Sequence, residues 1–221
     1  MKTGTLYIVS TPIGNLEDIT MRAIRVLREV FLVAAEDTRK TQILFSAYGI
    51  HTPLTSYYSY NASEKTPRLI RVLKEGKDVA LVSDSGTPGI SDPGSRLITE
   101  CMRNGIVITA APGPTALIMA LVVSGKATHK FVYEGFLSNK SAARRKQLEK
   151  LKDEKRTVII YESPHRIVKF LKDFIEIAGD REIAVMRELT KKFEEVRREP
   201  ASAQLEHFSG VKPKGEFVIV F

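Results

Sequence analysis

The sequence predicts an α/β protein of two domains, with a mostly parallel sheet in the first. In the first half, short β-branched runs alternate with helical patterns. Those runs are apolar throughout, which is typical of parallel strands covered by helices on both faces. The length of 221 residues suits one large or two small domains, and Ser124-Gly125 offers a break. We therefore expect α/β domains at 1–124 and 125–221.

The elements of the first domain follow from the periodicity of its apolar residues. Strands are expected at 5–9, 31–35, 79–82 and 106–110. Helices are expected at 20–30, 38–48, 63–75 and 93–104. Gly49 and Gly76 should end the second and third helices, and Ser63 or Thr66 should cap the third.

The second domain follows a helix at 117–123, which we expect to be buried. Its strands are expected at 131–134, 157–161, 182–187 and 217–221, and its helices at 141–153, 164–178 and 201–208. Ser163-Pro164 has the pattern of an N-cap followed by a first-turn proline.

The charge is positive and unevenly distributed. Thirty-four Lys and Arg face 26 Asp and Glu, which gives +8 and favours polyanionic partners. Residues 1–124 carry 13 basic and 11 acidic side chains, and the remainder carries 21 and 15. The segment 138–156 alone holds eight basic and three acidic residues, so most of the excess lies there.

Several classes of protein are excluded. The single cysteine, Cys101, forms no internal disulfide, so a disulfide-stapled scaffold does not fit. Four scattered histidines with that cysteine give no zinc-ligand spacing, and we expect no metal. There is no apolar run of about 18 residues and no charged-then-apolar leader, so we expect a cytoplasmic protein without a membrane partner.

Three loops rich in glycine and proline follow predicted strands, at 10–16, 83–94 and 111–115. Ligands of open α/β sheets bind at the carboxyl ends of strands, so these loops can converge on one crevice. They could also be only tight turns. No GxGxxG follows the first strand, and Gly89…Gly94 continues with Ser-Arg rather than Lys-Ser/Thr. A phosphate-cradling nucleotide site is therefore disfavoured.

Seven motifs in chain order carry a family resemblance: PIGNL at 12–16, EDTR at 36–39, SDSGTPGISDPG at 83–94, PGP at 112–114, YEGFL at 133–137, YESPHR at 161–166 and RELTK at 187–191. They resemble the ribosomal RNA small subunit methyltransferase I family of the tetrapyrrole methylase superfamily. The resemblance implies two α/β domains, usually in a homodimer, with S-adenosyl-L-methionine in the cleft between them. It implies 2′-O-methylation of a cytidine in the decoding centre of 16S rRNA. Many members continue with a small helical segment, so we expect any RNA contact from that segment to be replaced or missing in this short form.

The resemblance also places the cofactor. The residues it implies are Pro12, Gly14, Asp84, Gly86, Thr87, Ile90 and Thr115 in the first domain, and Phe136, Leu137, Leu189 and Thr190 in the second. Apolar walls with a few fixed polar groups suit this cofactor. Asp84 could attract its cationic part or simply cap the Ser-Asp-Ser-Gly turn.

Methyl transfer to a hydroxyl is an in-line displacement that depends on alignment of the reacting atoms and gains from a general base. The candidate catalytic residues are Glu162, His165, Glu188 and Lys191, and the sequence does not choose among them. His165 is by default a first-turn residue satisfied by its neighbours.

Arg144, Arg145 and Lys146 are candidate RNA-binding residues, because cations in the first turns of a helix are unfavourable unless an anion is near. The alternative is a solvated helix with intrahelical pairs such as Arg145/Glu149 and Lys150/Glu154. Further candidates for phosphate binding are Arg39, Lys40, Arg166 and Lys191.

The leading hypothesis is a methyltransferase acting on 16S rRNA or the 30S subunit. Two alternatives stay open: a small-molecule methylase of the same superfamily, and a non-catalytic RNA-binding or ribosome-assembly factor.

Overall fold

A computed structural model describes residues 3–221, which divide into two compact units. The first unit ends at Thr115 and the second is Ala116–Phe221. We had expected the division after residue 124. The helix Ala116–Val123 lies in the second unit because it packs on two strands of that unit's sheet.

The first unit is a parallel sheet covered on both faces, as predicted. Its strands are β1 Thr5–Val9, β2 Leu32–Ala35, β3 Leu54–Ser56, β4 Val79–Val82 and β5 Val107–Ala111. Its helices are α1 Met21–Glu29, α2 Thr38–Tyr48, α3 Ala62–Lys74 and α4 Ser95–Arg103, with a 3-10 turn at Leu16–Asp18. The strand order is β3-β2-β4-β1-β5. Helices α1 and α2 share one apolar core on one face, and α3 and α4 share another on the opposite face.

Local chemistry sets the ends of these helices. Gly49 ends α2 in the left-handed conformation at φ 59°, as predicted. The expected cap of α3 was wrong, since Ser63 and Thr66 both lie inside the helix. The Thr66 hydroxyl donates to the carbonyl of Ala62 at 2.7 Å instead. A Ser or Thr can bond back to the fourth residue before it, so this residue type alone does not mark a helix start.

The second unit is a mixed sheet with three helices on one face. Its elements are α5 Ala116–Val123, β6 Phe131–Phe136, α6 Ser141–Leu151, β7 Thr157–Glu162, α7 Ile167–Ala178, β8 Glu182–Arg187, β9 Glu195–Pro200, α8 Ala201–Gly210 and β10 Phe217–Val220. The order is β6-β7-β10-β8-β9. Strand β10 is antiparallel to both β7 and β8, and β6 is parallel to β7. Strands β6, β7 and β8 therefore run in the same direction, and their carboxyl ends lie at one edge.

Two expectations for the second unit were wrong. Helix α5 is only half buried, since Leu117 and Leu121 are covered while Val122 is 65% exposed. Helix α7 begins at Ile167 rather than at 164. The carbonyl of Ser163 accepts from the amides of Arg166 and Ile167 at 3.0 and 3.1 Å, so this motif forms a turn before the helix. Within residues 3–221, no helix is long and apolar enough to cross a membrane.

Candidate active site

The loops after β1 and β4 are joined by their backbones. Thr11 and Gly86 exchange two amide–carbonyl hydrogen bonds of 2.9 and 3.0 Å. The Thr11 hydroxyl also donates to the carbonyl of Ser83 at 3.2 Å. Strands β1 and β4 are neighbours in the sheet. From β1 the chain crosses β4 to reach β2 on one side, whereas from β4 it crosses β1 to reach β5 on the other side. These loops therefore lie where the topology switches direction, which is the usual ligand position in such sheets.

A cluster of hydroxyls joins the loop after β5 to the loops after β1 and β4. The Thr87 hydroxyl lies 2.8 Å from Ser10 Oγ and 2.7 Å from Thr115 Oγ1. It donates to the carbonyl of Pro114 at 3.2 Å. A hydroxyl has one hydrogen and two lone pairs, so Thr87 donates to Pro114 and accepts from Ser10 and Thr115. The three glycine- and proline-rich loops meet at Thr87, as the sequence predicted.

Glycine permits the close approach of these loops. A Cβ on Gly113 would lie 2.9 Å from the Cβ of Ser10, closer than real carbon contacts allow. Gly86 has φ 77°, a conformation that side chains disfavour. The Pro-Gly-Pro turn can therefore lie directly against the end of β1.

Asp84 connects these loops to the one after β2. Its carboxylate accepts from the amide of Asp37 at 2.9 Å and from Lys40 Nζ at 2.7 Å. Its own amide donates to Glu36 Oε2 at 3.2 Å. Burial raises the pKa of Glu36 despite that hydrogen bond. Asp84 thus binds the neighbouring loop, a role that neither sequence interpretation of this residue included.

The predicted cations of this edge already have carboxylate partners. Arg39 lies 2.7 Å from Asp37, and this pair lowers the pKa of Asp37 to about 2 and raises that of Arg39. Lys40 donates to Asp84, which raises the pKa of Lys40. Both remain in solvent, with side chains 89% and 61% exposed. Each can meet a further anion from the solvent side.

A half-open cavity lies between the loop after β1 and α2. Its lining is Thr11, Pro12, Leu16, Lys40, Thr41, Ile43, Leu44, Ser83 and Asp84. Among the predicted cofactor residues, Pro12 and Asp84 line it, and Lys40 lines it among the predicted RNA contacts. The predicted residues Gly14, Gly86, Thr87, Ile90 and Thr115 lie in the same loops but do not line this cavity. The α2 residues Thr41, Ile43 and Leu44 were missed, because we considered only residues that directly follow strands.

In the second unit, the buried Glu162 forms an ion pair with Arg166, whose side chain is 23% exposed. Glu162 is 1% exposed, and it accepts from the amide of Ser163 at 2.7 Å and from Arg166 at 3.0 Å. Arg166 also donates to the carbonyl of Leu137 at 2.6 Å. Glu162 is therefore enclosed and paired, which does not fit its predicted role as a base. Arg166 holds this pair and is partly exposed, so its contact with RNA phosphate stays a prediction.

Two further predicted side chains at this edge differ in accessibility. Leu137 is 2% exposed and belongs to the core, so it cannot supply an adenine wall. Phe136 is 52% exposed, and its ring packs edge-on against Tyr161 at 5.7 Å. His165 is exposed in the turn before α7. Phe136 and His165 are therefore the accessible predicted residues of these two loops.

Glu188 and Lys191 form a second pair after β8. Lys191 Nζ lies 2.7 Å from Glu188 and 2.9 Å from Glu216. Burial alone would lower the pKa of Lys191, but these hydrogen bonds raise it. Burial alone would raise the pKa of Glu188, but hydrogen bonds from Lys191 and the Glu216 amide lower it. Lys191 is therefore a cation, which contradicts its predicted role as a proton acceptor.

Unfavourable backbone conformations occur in the predicted motifs. Three non-glycine residues in the described chain have positive φ: Ser91 at 62°, Glu188 at 51° and Thr190 at 65°. Ser91 lies in the loop after β4, and the others lie in the loop after β8. Each such residue costs on the order of 1–3 kcal/mol, and such strain clusters at functional sites. The Thr190 hydroxyl is also buried without a hydrogen-bond partner, and Leu189 beside it is buried.

The basic segment of α6 contributes fewer free cations than predicted. Arg144 is 2% exposed, and its Nε donates to Asp173 at 2.8 Å. It is a core ion pair, so its assignment to RNA phosphate was wrong. Arg145 pairs with Glu176 on α7 rather than with Glu149. Lys146 is exposed. In the described part of the chain, no group of three or more acidic, histidine or cysteine side chains could hold a metal ion.

Comparison with known proteins gives the class and then the family. The model of the tetrapyrrole (corrin/porphyrin) methylases matches residues 5–204. The fold is similar to that of uroporphyrin-III C-methyltransferase from Thermus thermophilus complexed with S-adenosylhomocysteine, with TM-score 0.70, 20% identity and coverage of 98% of this chain and 97% of that one. The chain is thus of the tetrapyrrole methylase class.

Two curated relatives carry the name ribosomal RNA small subunit methyltransferase I. The Thermotoga maritima protein is 48% identical over 217 residues, covering 98% of this chain and 97% of the relative. The Synechocystis protein is 47% identical over 218 residues, covering 98% and 78%. The chain belongs to the ribosomal RNA small subunit methyltransferase I family.

Proposed function

We propose that this protein uses S-adenosyl-L-methionine to methylate the ribose 2′-oxygen of a cytidine in the decoding centre of 16S rRNA. The names of its relatives support rRNA methylation, and the neighbouring structure that binds S-adenosylhomocysteine supports this cofactor. The observation that carries the proposal is the meeting of three strand-end loops on the Thr87 hydroxyl, at the topological switch of the first sheet.

The residues present fit this cofactor. The contact between Gly113 and Ser10 leaves no room for a side chain at this position, which lets the turn lie against the end of β1 beside the Thr87 hydroxyl cluster. The buried Thr190 hydroxyl lacks a partner and can bond to a polar group of a ligand. We propose that Pro12, Gly14, Asp84, Gly86, Thr87, Ile90 and Thr115 contact the cofactor in the first unit, and Phe136, Leu189 and Thr190 in the second.

The bound cofactor supplies an electrophilic methyl group on a sulfonium. The contribution of the chain is to fix the two reactants, and alignment of reacting atoms is worth roughly 7–11 kcal/mol. The strained but well-bonded loops suit this role, because their geometry is set before the ligand binds. His165 and Glu188 remain the proposed proton acceptors, and a base would add a factor of about 10²–10⁴. Glu188 is ionised at neutral pH and holds Lys191 at 2.7 Å.

The decisive experiment incubates the protein with methyl-labelled cofactor and either 30S subunits or free 16S rRNA that lack the modification. We expect label on a decoding-centre cytidine, with resistance of that linkage to alkaline cleavage. The variant Thr87→Val should lower activity and cofactor affinity about tenfold, because it removes the hydroxyl that joins three loops. Thr99→Val on the exposed side of α4 is the matched control.

The outcomes separate the alternatives. Label on a small tetrapyrrole but not on RNA would favour the small-molecule methylase. Absence of cofactor binding by calorimetry would exclude both enzymes and leave the RNA-binding or assembly factor. The homodimer implied by the family resemblance stays a prediction that sedimentation equilibrium can test.

A further inference from the structure

Two exposed tyrosines stand in the loop between β3 and α3. Tyr58 is 41% exposed and Tyr60 is 93% exposed. The Tyr60 ring is almost wholly in solvent and contributes little packing to the fold, and it lies two positions from a second exposed tyrosine, so both rings are accessible to a partner. Neither tyrosine lines the cavity beside α2.

The loop that carries them is well ordered by its own bonds. The amide of Tyr58 donates to Asn61 Oδ1 at 2.9 Å, and Asn61 Nδ2 donates to the carbonyl of Ser56 at 3.3 Å. Tyr57, the residue before them, is fully buried, and its hydroxyl lies 3.1 Å from Thr66 Oγ1. Buried Tyr57 and the Asn61 side chain thus fix the two ends of the turn that carries Tyr58 and Tyr60, so little conformational freedom of its backbone is lost if the two rings bind a ligand.

The loop lies beside the candidate active-site loops. Strand β3 pairs in parallel with β2, with Ser56 opposite Ala35. The amide of Tyr57 donates to the carbonyl of Ala35 at 2.7 Å, so the loops after β2 and β3 leave the sheet side by side. Helix α2, which follows that β2 loop, carries Arg39 in its first turn, and the guanidinium is oriented by Asp37 while the side chain is 89% exposed.

We propose that Tyr58 and Tyr60, with the Arg39 guanidinium in the first turn of α2, form a stacking platform for unpaired nucleotides of the RNA substrate. Sequence-specific RNA proteins stack splayed bases on aromatic rings and on arginine planes. Such stacking tolerates any base, so the platform would hold nucleotides that flank the target rather than read the target itself. The proposal rests on the proposed RNA-directed function. A cationic partner residue favours RNA over a protein surface as the occupant.

The test measures binding of a fluorescent single-stranded RNA of about ten nucleotides from the decoding-centre sequence, a length within the usual range for such sites. Tyr60→Ala and Tyr58→Ala should each weaken binding by about fivefold to a hundredfold. Tyr60→Phe and Tyr58→Phe should bind almost as wild type, because they keep the ring. Arg39→Ala should also weaken binding.

Phe31→Ala is the matched control. Phe31 is 50% exposed and immediately precedes β2. It therefore lies at the amino-terminal ends of the strands, whereas the tyrosines follow the carboxyl end of β3. It should leave RNA affinity unchanged. Equal weakening by Phe31→Ala, or unchanged affinity in both alanine variants of the tyrosines, would overturn the platform. Loss of affinity in the phenylalanine variants would also overturn it, since the hydroxyls rather than the rings would then bind.

Enzymatic readouts separate this inference from the proposed function. In the methylation assay, the alanine variants should raise KM for RNA and leave the cofactor Kd at its wild-type value. If wild type methylates no RNA but the tyrosine variants still lose RNA affinity, the proposed function fails and the platform stands. If the variants bind RNA normally and lose only activity on assembled 30S subunits, the loop contacts a ribosomal protein and the platform is wrong.

Discussion

At the scale of single residues, the pair formed by Glu188 and Lys191 gives a pH dependence whose sign can be worked out. The pKa of Glu188 is lowered from its ordinary value of 4.5, so its stabilisation is present above that value and is lost as pH falls through the folded pKa. The pKa of Lys191 is raised from 10.5, so its stabilisation is present below that value and is lost as pH rises through the folded pKa. The pair therefore stabilises the fold from weakly acidic to weakly alkaline pH.

Lys191→Met should test this dependence. At pH 7 the variant should lose about 1.5–3 kcal/mol of unfolding free energy, the usual contribution of a hydrogen bond to a charged group. The loss should shrink at acid pH, where Glu188 is protonated in both proteins. Urea unfolding at several pH values measures it. Lys192→Met is the control, because Lys192 is the exposed neighbour. A loss that stays constant down to pH 3 would contradict the pairing.

Residue roles were the part of the site that the sequence predicted least well. The partner of Arg144 is Asp173, 29 positions away on another helix, and spacing alone does not reveal such a contact. The pair of Glu162 and Arg166 has helical spacing, but the burial that makes it structural comes from the packing of β7 beneath α7. The sequence motifs drew attention to several titratable residues. Which of them meet solvent depended on tertiary contacts.

At the scale of elements, the Pro-Gly-Pro turn after β5 should tolerate no side chain at its centre. Gly113→Ala places a Cβ 2.9 Å from Ser10 Cβ, and relief of such crowding typically costs about 1–3 kcal/mol. The turn should shift away from the end of β1 and weaken cofactor binding. Thermal unfolding and calorimetry with S-adenosyl-L-methionine measure the two effects.

Gly210→Ala at the end of α8 is the control for this variant. No atom lies within 4 Å of the Cβ that this substitution would add. It should therefore be neutral or slightly stabilising. If Gly113→Ala binds the cofactor as tightly as Gly210→Ala, the turn does not contribute to the site.

Most elements were predictable from the sequence, and the two missed strands have a shared physical reason. Strand β3 has three residues and β9 reads Glu-Val-Arg-Arg-Glu-Pro, and both are edge strands. Edge strands bury fewer side chains than central ones and are commonly short or charged, so they lack the apolar periodicity used for prediction. The central strands β1, β4 and β8 were predicted with their observed bounds because they are buried and apolar.

At the scale of the whole molecule, a net charge of +8 favours long-range attraction to RNA. The structure indicates which cations are free to contribute to that attraction. Of the first-turn cluster of α6, Arg144 is buried against Asp173 and Arg145 pairs with Glu176, whereas Lys146 is exposed. Counterion release depends on cations that reach phosphate, so the count in the sequence overstates the contribution of this helix.

The salt dependence of RNA affinity should therefore separate two neighbours in α6. Lys146→Ala should reduce the slope of log K against log salt by about 0.7–0.9, the loss of one phosphate contact, and leave stability almost unchanged. Arg144→Ala should keep the slope of the folded protein but cost about 3–5 kcal/mol of stability, because Asp173 would be left buried without its partner. Binding titrations between low and moderate salt, with urea unfolding of the same variants, measure both quantities. A reduced slope in fully folded Arg144→Ala would show that Arg144 contacts RNA. An unchanged slope in Lys146→Ala would show that Lys146 makes no phosphate contact and that α6 is not part of the RNA-binding surface.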